Sequence, residues 1–126
     1  MKSYTDIEQS KVLAKTLPIE SADMRYGYIA PYEYSDRMYD GGYDEIPYPK
    51  DFLIKNPNYF VDEYDAELPC WSLAALLDAM PPIQELCSST DHYYRVSSVS
   101  LFSEWHENAI DSCVEIIVRL HKDGLL

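Results

Sequence analysis

The sequence predicts an α+β fold: a single small domain, residues 1–126, with three helices packed on a short antiparallel sheet. Three observations carry this. One stretch near each end repeats apolar residues at three- and four-residue spacing, as a helix face does. A middle run, CWSLAALLDAM, is apolar nearly all round. Between these lie segments that alternate, or are rich in Tyr and Val, as strands are.

The first helix is expected from about Asp6 to Leu17. Thr5 and Glu8 have the spacing of a capping box, in which the hydroxyl accepts a backbone N–H and the carboxylate reaches back. Ile7, Leu13, Ala14 and Leu17 form its apolar stripe. Pro18, with no N–H, ends it. Met24 to Ala30 alternates with period two, Met24, Tyr26 and Tyr28 facing one way and Arg25 and Ile29 the other, which predicts a strand. Asp40-Gly41-Gly42-Tyr43 supplies residues that accept positive φ, so a hairpin turn is placed there. Tyr32 to Tyr39 and Tyr43 to Tyr48 are its flanking strands. Pro47, Pro49 and Pro57 predict an irregular path from Tyr48 to Tyr59, within a Tyr/Asp-rich segment at about 31–67 that is irregular as a whole.

The second helix is expected from Pro69 to Met80, with proline at the first helical position, where its missing N–H costs nothing. Only Ser72 and Asp78 relieve its apolar surface, so it should be buried on most sides. Pro81 and Pro82 stop it. His92 to Phe102 reads as one strand or a bent pair. Asn108 caps the last helix, with Asp111 at the third helical position. Ile110, Cys113, Val114, Ile117 and Leu120 make its stripe. Gly124 closes it, with Leu125 and Leu126 folding back onto the last turn. Leu73, Leu77, Ile110, Cys113, Val114 and Ile117 are the expected core. No fixed-period repeat is present, which excludes a solenoid.

Charge narrows the partners. Acids number 22 and bases 10, a formal charge of −12. Direct binding to nucleic acid is excluded on this count, because it needs Lys and Arg to displace counterions. An anionic membrane surface is disfavoured likewise, and no apolar run nears the roughly 20 residues of a span. A basic protein partner fits the charge, and a homodimer is left open. The N-terminal stretch carries early acids and no apolar core, so no signal peptide is expected. Three cysteines, Cys70, Cys87 and Cys113, are expected as reduced thiols in a cytoplasm. Cys70 and Cys113 lie in apolar patterns and read as buried small hydrophobes.

"YTDIEQSKVLAKTLPIESADM" (Tyr4 to Met24), "PCWSLAALLDAMP" (Pro69 to Pro81) and "NAIDSCVEIIVRLHKDGLL" (Asn108 to Leu126) resemble a group of small uncharacterised proteins from gut Bacteroidales genomes, phages and mobile elements. The blocks cover a little under half of the chain, in matching order. The resemblance implies a single small domain in an intracellular bacterial or phage setting. The group has no assigned activity, cofactor or catalytic residue, so it implies no site.

Catalytic and metal motifs fail one by one. His106-Glu107 opens like a zinc-protease helix, but the motif's second histidine falls at Ile110. The cysteines lack C-x-x-C spacing. Asp36, Asp40, Gly41 and Asp44 suggest a calcium loop, yet its third and twelfth positions are Met38 and Pro47. No P-loop, G-x-S-x-G or G-x-G-x-x-G occurs. No cofactor, metal or catalytic residue is expected, and the chain reads as a non-enzyme.

What remains is YEYSDRMYDGGYDEIPY, from Tyr32 to Tyr48, with five tyrosines and five acids. Nine of the chain's twelve tyrosines fall between Tyr26 and Tyr64. Tyrosine brings contact area with few rotors and a polar tip, which suits binding surfaces. Neighbouring acids select a basic partner and speed encounter. The candidate partner-binding residues are Tyr32, Tyr34, Asp36, Tyr39, Asp40, Tyr43, Asp44 and Tyr48. The expected function is a protein-interaction module for a basic or mixed partner surface. The alternative is an acidic nucleic-acid mimic that inhibits a DNA-binding host enzyme.

Overall fold

The structure, a computed structural model, describes residues 2–29, 32–39, 41–43, 46–49, 68–81, 84–89, 91, 93–99 and 101–126, with residues 28, 29, 32, 34 and 39 described by their backbone alone. Helix α1 (Ile7–Ala14) starts from Asp6, one residue later than expected. The capping box belongs to Asp6 and Gln9: the Gln9 N–H donates to Asp6 Oδ1 at 2.7 Å, and the Asp6 N–H donates to Gln9 Oε1 at 3.1 Å. Thr5 is fully buried, and its hydroxyl is committed elsewhere. It accepts the Trp71 N–H at 3.1 Å and shares a 2.8 Å bond with Ser10 Oγ. Leu13 and Leu17 are buried, Ile7 is half-buried and Ala14 is exposed, so the stripe is narrower than expected. A 3₁₀ turn (Ile19–Ser21) follows Pro18.

The segment from Met24 divides at Gly27 into β1 (Met24–Tyr26) and β2 (Tyr28–Ile29). β1 lies between two edge strands, β6 (Tyr48–Pro49) and β7 (Leu68–Cys70), and is antiparallel to both. Pro69 is therefore in a strand and not in a helix, and Tyr48–Pro49 is regular. Both prolines sit on edges, where a missing N–H breaks no interior ladder. Residues 50–59 of the stretch expected to be irregular lie outside the described residues. Helix α2 is the shorter Leu73–Ala79, capped by Ser72 Oγ, which accepts the Ala75 N–H at 3.3 Å.

The bent pair is real: β9 (Tyr94–Ser98) and β10 (Leu101–Phe102) are antiparallel. A third strand, β8 (Gln84–Ser88), pairs with the other edge of β9 and has no counterpart in the sequence reading. Its QELCS carries only two apolar residues and no alternating apolar face, as suits an edge strand with Glu85, Leu86 and Ser88 exposed. Helix α3 (Ala109–Lys122) covers the inner face of this sheet. Asn108 Oδ1 accepts the Asp111 N–H at 2.9 Å, as the sequence predicts. At the other end Gly124 has φ 75°, its N–H donates to His121 O at 3.1 Å, and the Leu125 N–H donates to Leu120 O at 2.8 Å. That is a Schellman motif. The Leu125 and Leu126 side chains stay exposed rather than folding onto the helix.

The main core gathers Leu13, Trp71, Leu76, Val96, Ile110 and Ile117 around α2, α3 and β9. Leu73, Leu77 and Val114, expected to be buried, only pack against its margin. A helix apolar all round has no moment to choose its inward face, and the face chosen is that of Ala75 and Leu76. A second, smaller core holds Tyr26, Leu68 and Cys70, with Tyr4, Ile7, Met24 and Tyr43 packed on it. Among the described residues the fold is thus α+β with three α-helices, but with two three-stranded and two two-stranded antiparallel sheets in place of one. No described helix is long and apolar enough to cross a membrane.

Candidate interaction surface

The tyrosine-rich stretch is built as a hairpin, but its turn lies elsewhere. β3 (Tyr32–Tyr34) pairs with β4 (Arg37–Tyr39), closing Tyr34 opposite Arg37. The two loop residues, Ser35 and Asp36, have φ of 51° and 65°. Positive φ at both positions is the type I′ geometry whose twist suits tight hairpins. Gly41 and Gly42 instead lead into β5 (Gly42–Tyr43), which pairs with β2. The two ladders share one register. Tyr28 is opposite Tyr43, Ile29 opposite Gly42, Tyr32 opposite Tyr39 and Glu33 opposite Met38. The two nested ladders form an arm with Ser35–Asp36 at its turn. In the β2–β5 ladder Tyr28 lies opposite Tyr43, and in the β3–β4 ladder Tyr32, Tyr34, Arg37 and Tyr39 hold positions of one parity, which in a pleated ladder belong to one face. Glu33 and Met38 hold the other.

The arm is anchored at its base and open at its tip. Tyr43 is half-buried against the second core, with Lys11 Nζ 5.9 Å from its ring centre. Tyr48 is half-buried in β6, opposite Arg25. Toward the turn, Glu33, Ser35, Asp36, Arg37 and Met38 are all exposed, Met38 by 70%. Of the eight expected binding residues, Tyr32, Tyr34 and Tyr39 share one parity in the β3–β4 ladder, Tyr43 pairs with Tyr28 in the β2–β5 ladder, Asp36 is at the tip, and Tyr48 lies in a different sheet. Asp40 and Asp44 lie outside the described residues.

Sequence reasoning missed a second surface. On β9, Val96 and Ser98 face α3, so Arg95 faces out, opposite Cys87 of β8. The Arg95 guanidinium carbon lies 4.9 Å from the Phe102 ring centre and 4.7 Å from that of Trp105. Phe102 is 54% exposed, Trp105 43% and Tyr93 41%. Arg95 Nε is buried with no acceptor, a state that costs about 1–3 kcal/mol. A shallow depression of about 350 Å3 lined by Ser89, Asp91, Tyr93 and Trp105 adjoins it. The alternation of β9 hinted at an outward Arg95, but only the fold brings Phe102 and Trp105 onto it.

The remaining polar clusters are structural. Tyr26 OH donates to Thr5 O at 2.7 Å, sealing the second core, and burial pushes its phenol well above the usual range. Cys70 and Cys113 are buried free thiols and Cys87 is half-buried, though Cys70 lies in a strand and not a helix. Lys2 Nζ bridges Asp6 and Asp111, 3.0 Å from each, tying the starts of α1 and α3. Glu115 accepts from the Glu104 N–H (3.0 and 3.1 Å) and lies 3.0 Å from His106 Nε2. Among the described residues no third group completes a catalytic set there: the Ser103 hydroxyl is spent on the Val96 N–H and Glu104 O. Among the described residues no group of three His, Cys, Asp or Glu side chains is arranged to hold a metal. No family model matches the chain, and neither a curated protein nor a solved structure matches it.

Proposed function

We propose that this chain is a non-enzymatic protein-interaction module that docks a basic or mixed partner surface through the Tyr28–Tyr43 hairpin. The observation that carries the reading is the pairing of the two nested ladders, which sets Tyr28 opposite Tyr43 and Tyr32 opposite Tyr39. An anchored base and an exposed tip suit an arm that reaches a partner. Rings with few rotors lose little entropy on contact. The chain's charge of −12 attracts basic surfaces from a distance. An accessory role inside a bacterium or phage, implied by the resemblance of the chain's blocks, belongs to the same proposal. The mimic reading draws less support. It needs acids free along one ridge, whereas Asp6, Asp23, Asp111 and Glu115 are engaged in internal hydrogen bonds.

The test is affinity capture from the source cells with the wild-type chain and with Tyr32→Ser/Tyr39→Ser. Tyr43 is left alone because its ring rests on the second core. The reading expects a protein retained by the wild type and lost by the double variant, with the thermal midpoint nearly unchanged. Retention that ignores the substitution, or a variant that unfolds, contradicts it.

A further inference from the structure

We propose that Arg95, packed over both Phe102 and Trp105, is the receptor for a carboxylate on a peptide segment of mixed charge, whose neighbouring basic side chain is met by Asp91 in the depression that Trp105 also lines. This surface is separate from the hairpin and does not depend on it. The chain holds 22 acids, yet Arg95 makes no ion pair or hydrogen bond through its side chain among the described residues, and its Nε has no acceptor. A guanidinium packed over two aromatic rings keeps its donors in its own plane, away from the ring faces. Nε is shielded from solvent, so the fork offered to a carboxylate is the Nη1 and Nη2 pair. The rings fix the fork before any ligand arrives, so little rotamer freedom remains to be lost on binding.

The frame around the rings is equally fixed. Arg119 Nη1 donates to Phe102 O at 2.7 Å. The Ser103 N–H donates to Val96 O at 2.8 Å, and the Val96 N–H donates to Ser103 Oγ at 2.9 Å. His106 and Tyr94 exchange backbone bonds of 2.7 and 2.9 Å. Phe102 and Trp105 sit in this clamped segment and are still about half exposed. The hydrogen bonds hold the rings at the surface; they do not bury them. A half-buried Arg with exposed Trp and Tyr is also the composition of interface hot spots.

Charge selects the occupant. A polyanion is repelled by a chain of −12. A lone carboxylate meets Arg95 but also the exposed Asp91 that lines the adjoining depression. A segment with an acid and a base a few residues apart satisfies both charges, with Trp105 as the shared contact between them.

The probe is a blocked pentapeptide of glycine with one Glu and one Lys, titrated into the 15N-labelled chain. The readouts are the Arg95 Nε–H and Trp105 indole N–H resonances; the fully buried Trp71 indole is the internal control. Saturable shifts of both readouts are expected, with Trp71 unmoved. Affinity should fall about tenfold or more when Gln replaces the peptide's Glu, since a charge-assisted fork is lost. Arg95→Lys, which keeps the charge but not the planar fork, should weaken binding by a similar factor. Equal binding of the Gln peptide, an unchanged response in Arg95→Lys, tighter binding of a phosphoserine peptide, or no saturable shift at millimolar peptide each overturns the proposal. If Arg95→Lys also moves Trp71, the Glu-to-Gln comparison decides, because it leaves the protein untouched.

Discussion

Leu76→Ala should cost far more stability than Leu77→Ala, although the two are neighbours on an almost uniformly apolar helix. Leu76 is fully buried in the main core beside Trp71, Val96 and Ile117. Truncating such a side chain removes its transfer energy and leaves a cavity, together about 2–5 kcal/mol. Leu77 is half-buried at the core's margin, and its carbonyl bonds to Met80 N–H and Gln84 Nε2 survive in alanine. It should lose about half as much, roughly 1–2 kcal/mol. For a chain of 126 residues, an unfolding entropy of about 2.1 cal/mol/K per residue gives about 4 °C per kcal/mol. Leu76→Ala should then lower the midpoint by roughly 8–20 °C, and Leu77→Ala by less than about 8 °C. Urea denaturation measures both, provided the slope is unchanged between variants. Equal losses, or a larger loss at Leu77, refute the assignment of the inward face of α2.

Three further outcomes follow from named residues. Val99 has φ 49°, a β-branched residue in the left-handed region and exposed in the β9–β10 turn; Val99→Asn should raise stability by about 1 kcal/mol in the same urea assay, since Asn tolerates that conformation. Burial works to raise the pKa of Asp111 and Glu115, but hydrogen bonds from Lys2, Gln9 and Asn108 to the first, and from His106 and the Glu104 N–H to the second, outweigh it and hold both below their usual values of 3.8 and 4.5. Depressed carboxylates stabilise above the unfolded pKa, so melting temperatures should fall as pH drops below about 4.5, and Glu115→Gln should shrink that fall. Burial pushes the Cys113 thiol up to about 12 and raises Cys70, so iodoacetamide at neutral pH should label Cys87 alone in the native chain and all three cysteines in urea, read by mass.

The parts legible in the sequence were those where local chemistry and tertiary demand agree. Asn108, Asp111 and Gly124 cap α3 by local geometry alone, and its stripe at three- and four-residue spacing is the face that packs on β9. Pro69 shows where local rules mislead. Proline suits a helix start and an edge strand equally, and only the pairing of Arg25 with Pro69 decides between them. The hairpin shows the same conflict. Gly41-Gly42 is the cheaper pair for a tight turn, yet pairing Tyr32 with Tyr39 requires the reversal at Ser35-Asp36. The register accepts the modest strain of placing Ser and Asp in the left-handed region. Within the candidate site, the tyrosines were visible by composition; their cross-strand pairing was not, because it depends on that register. The Arg95 stack was invisible for a different reason: Phe102 and Trp105 reach Arg95 only through the β9–β10 reversal.

The measurement that bears most directly on the hairpin as a recognition arm is amide hydrogen exchange of the chain, free and saturated with the partner retained by capture. Interface amides slow when a partner excludes water from them, and exchange reports where that happens along the backbone. The account expects the largest added protection between Tyr28 and Tyr43, centred on the Ser35–Asp36 tip, with α3 unchanged. Protection confined to other segments, with the hairpin exchanging as fast in the complex as in the free chain, contradicts it.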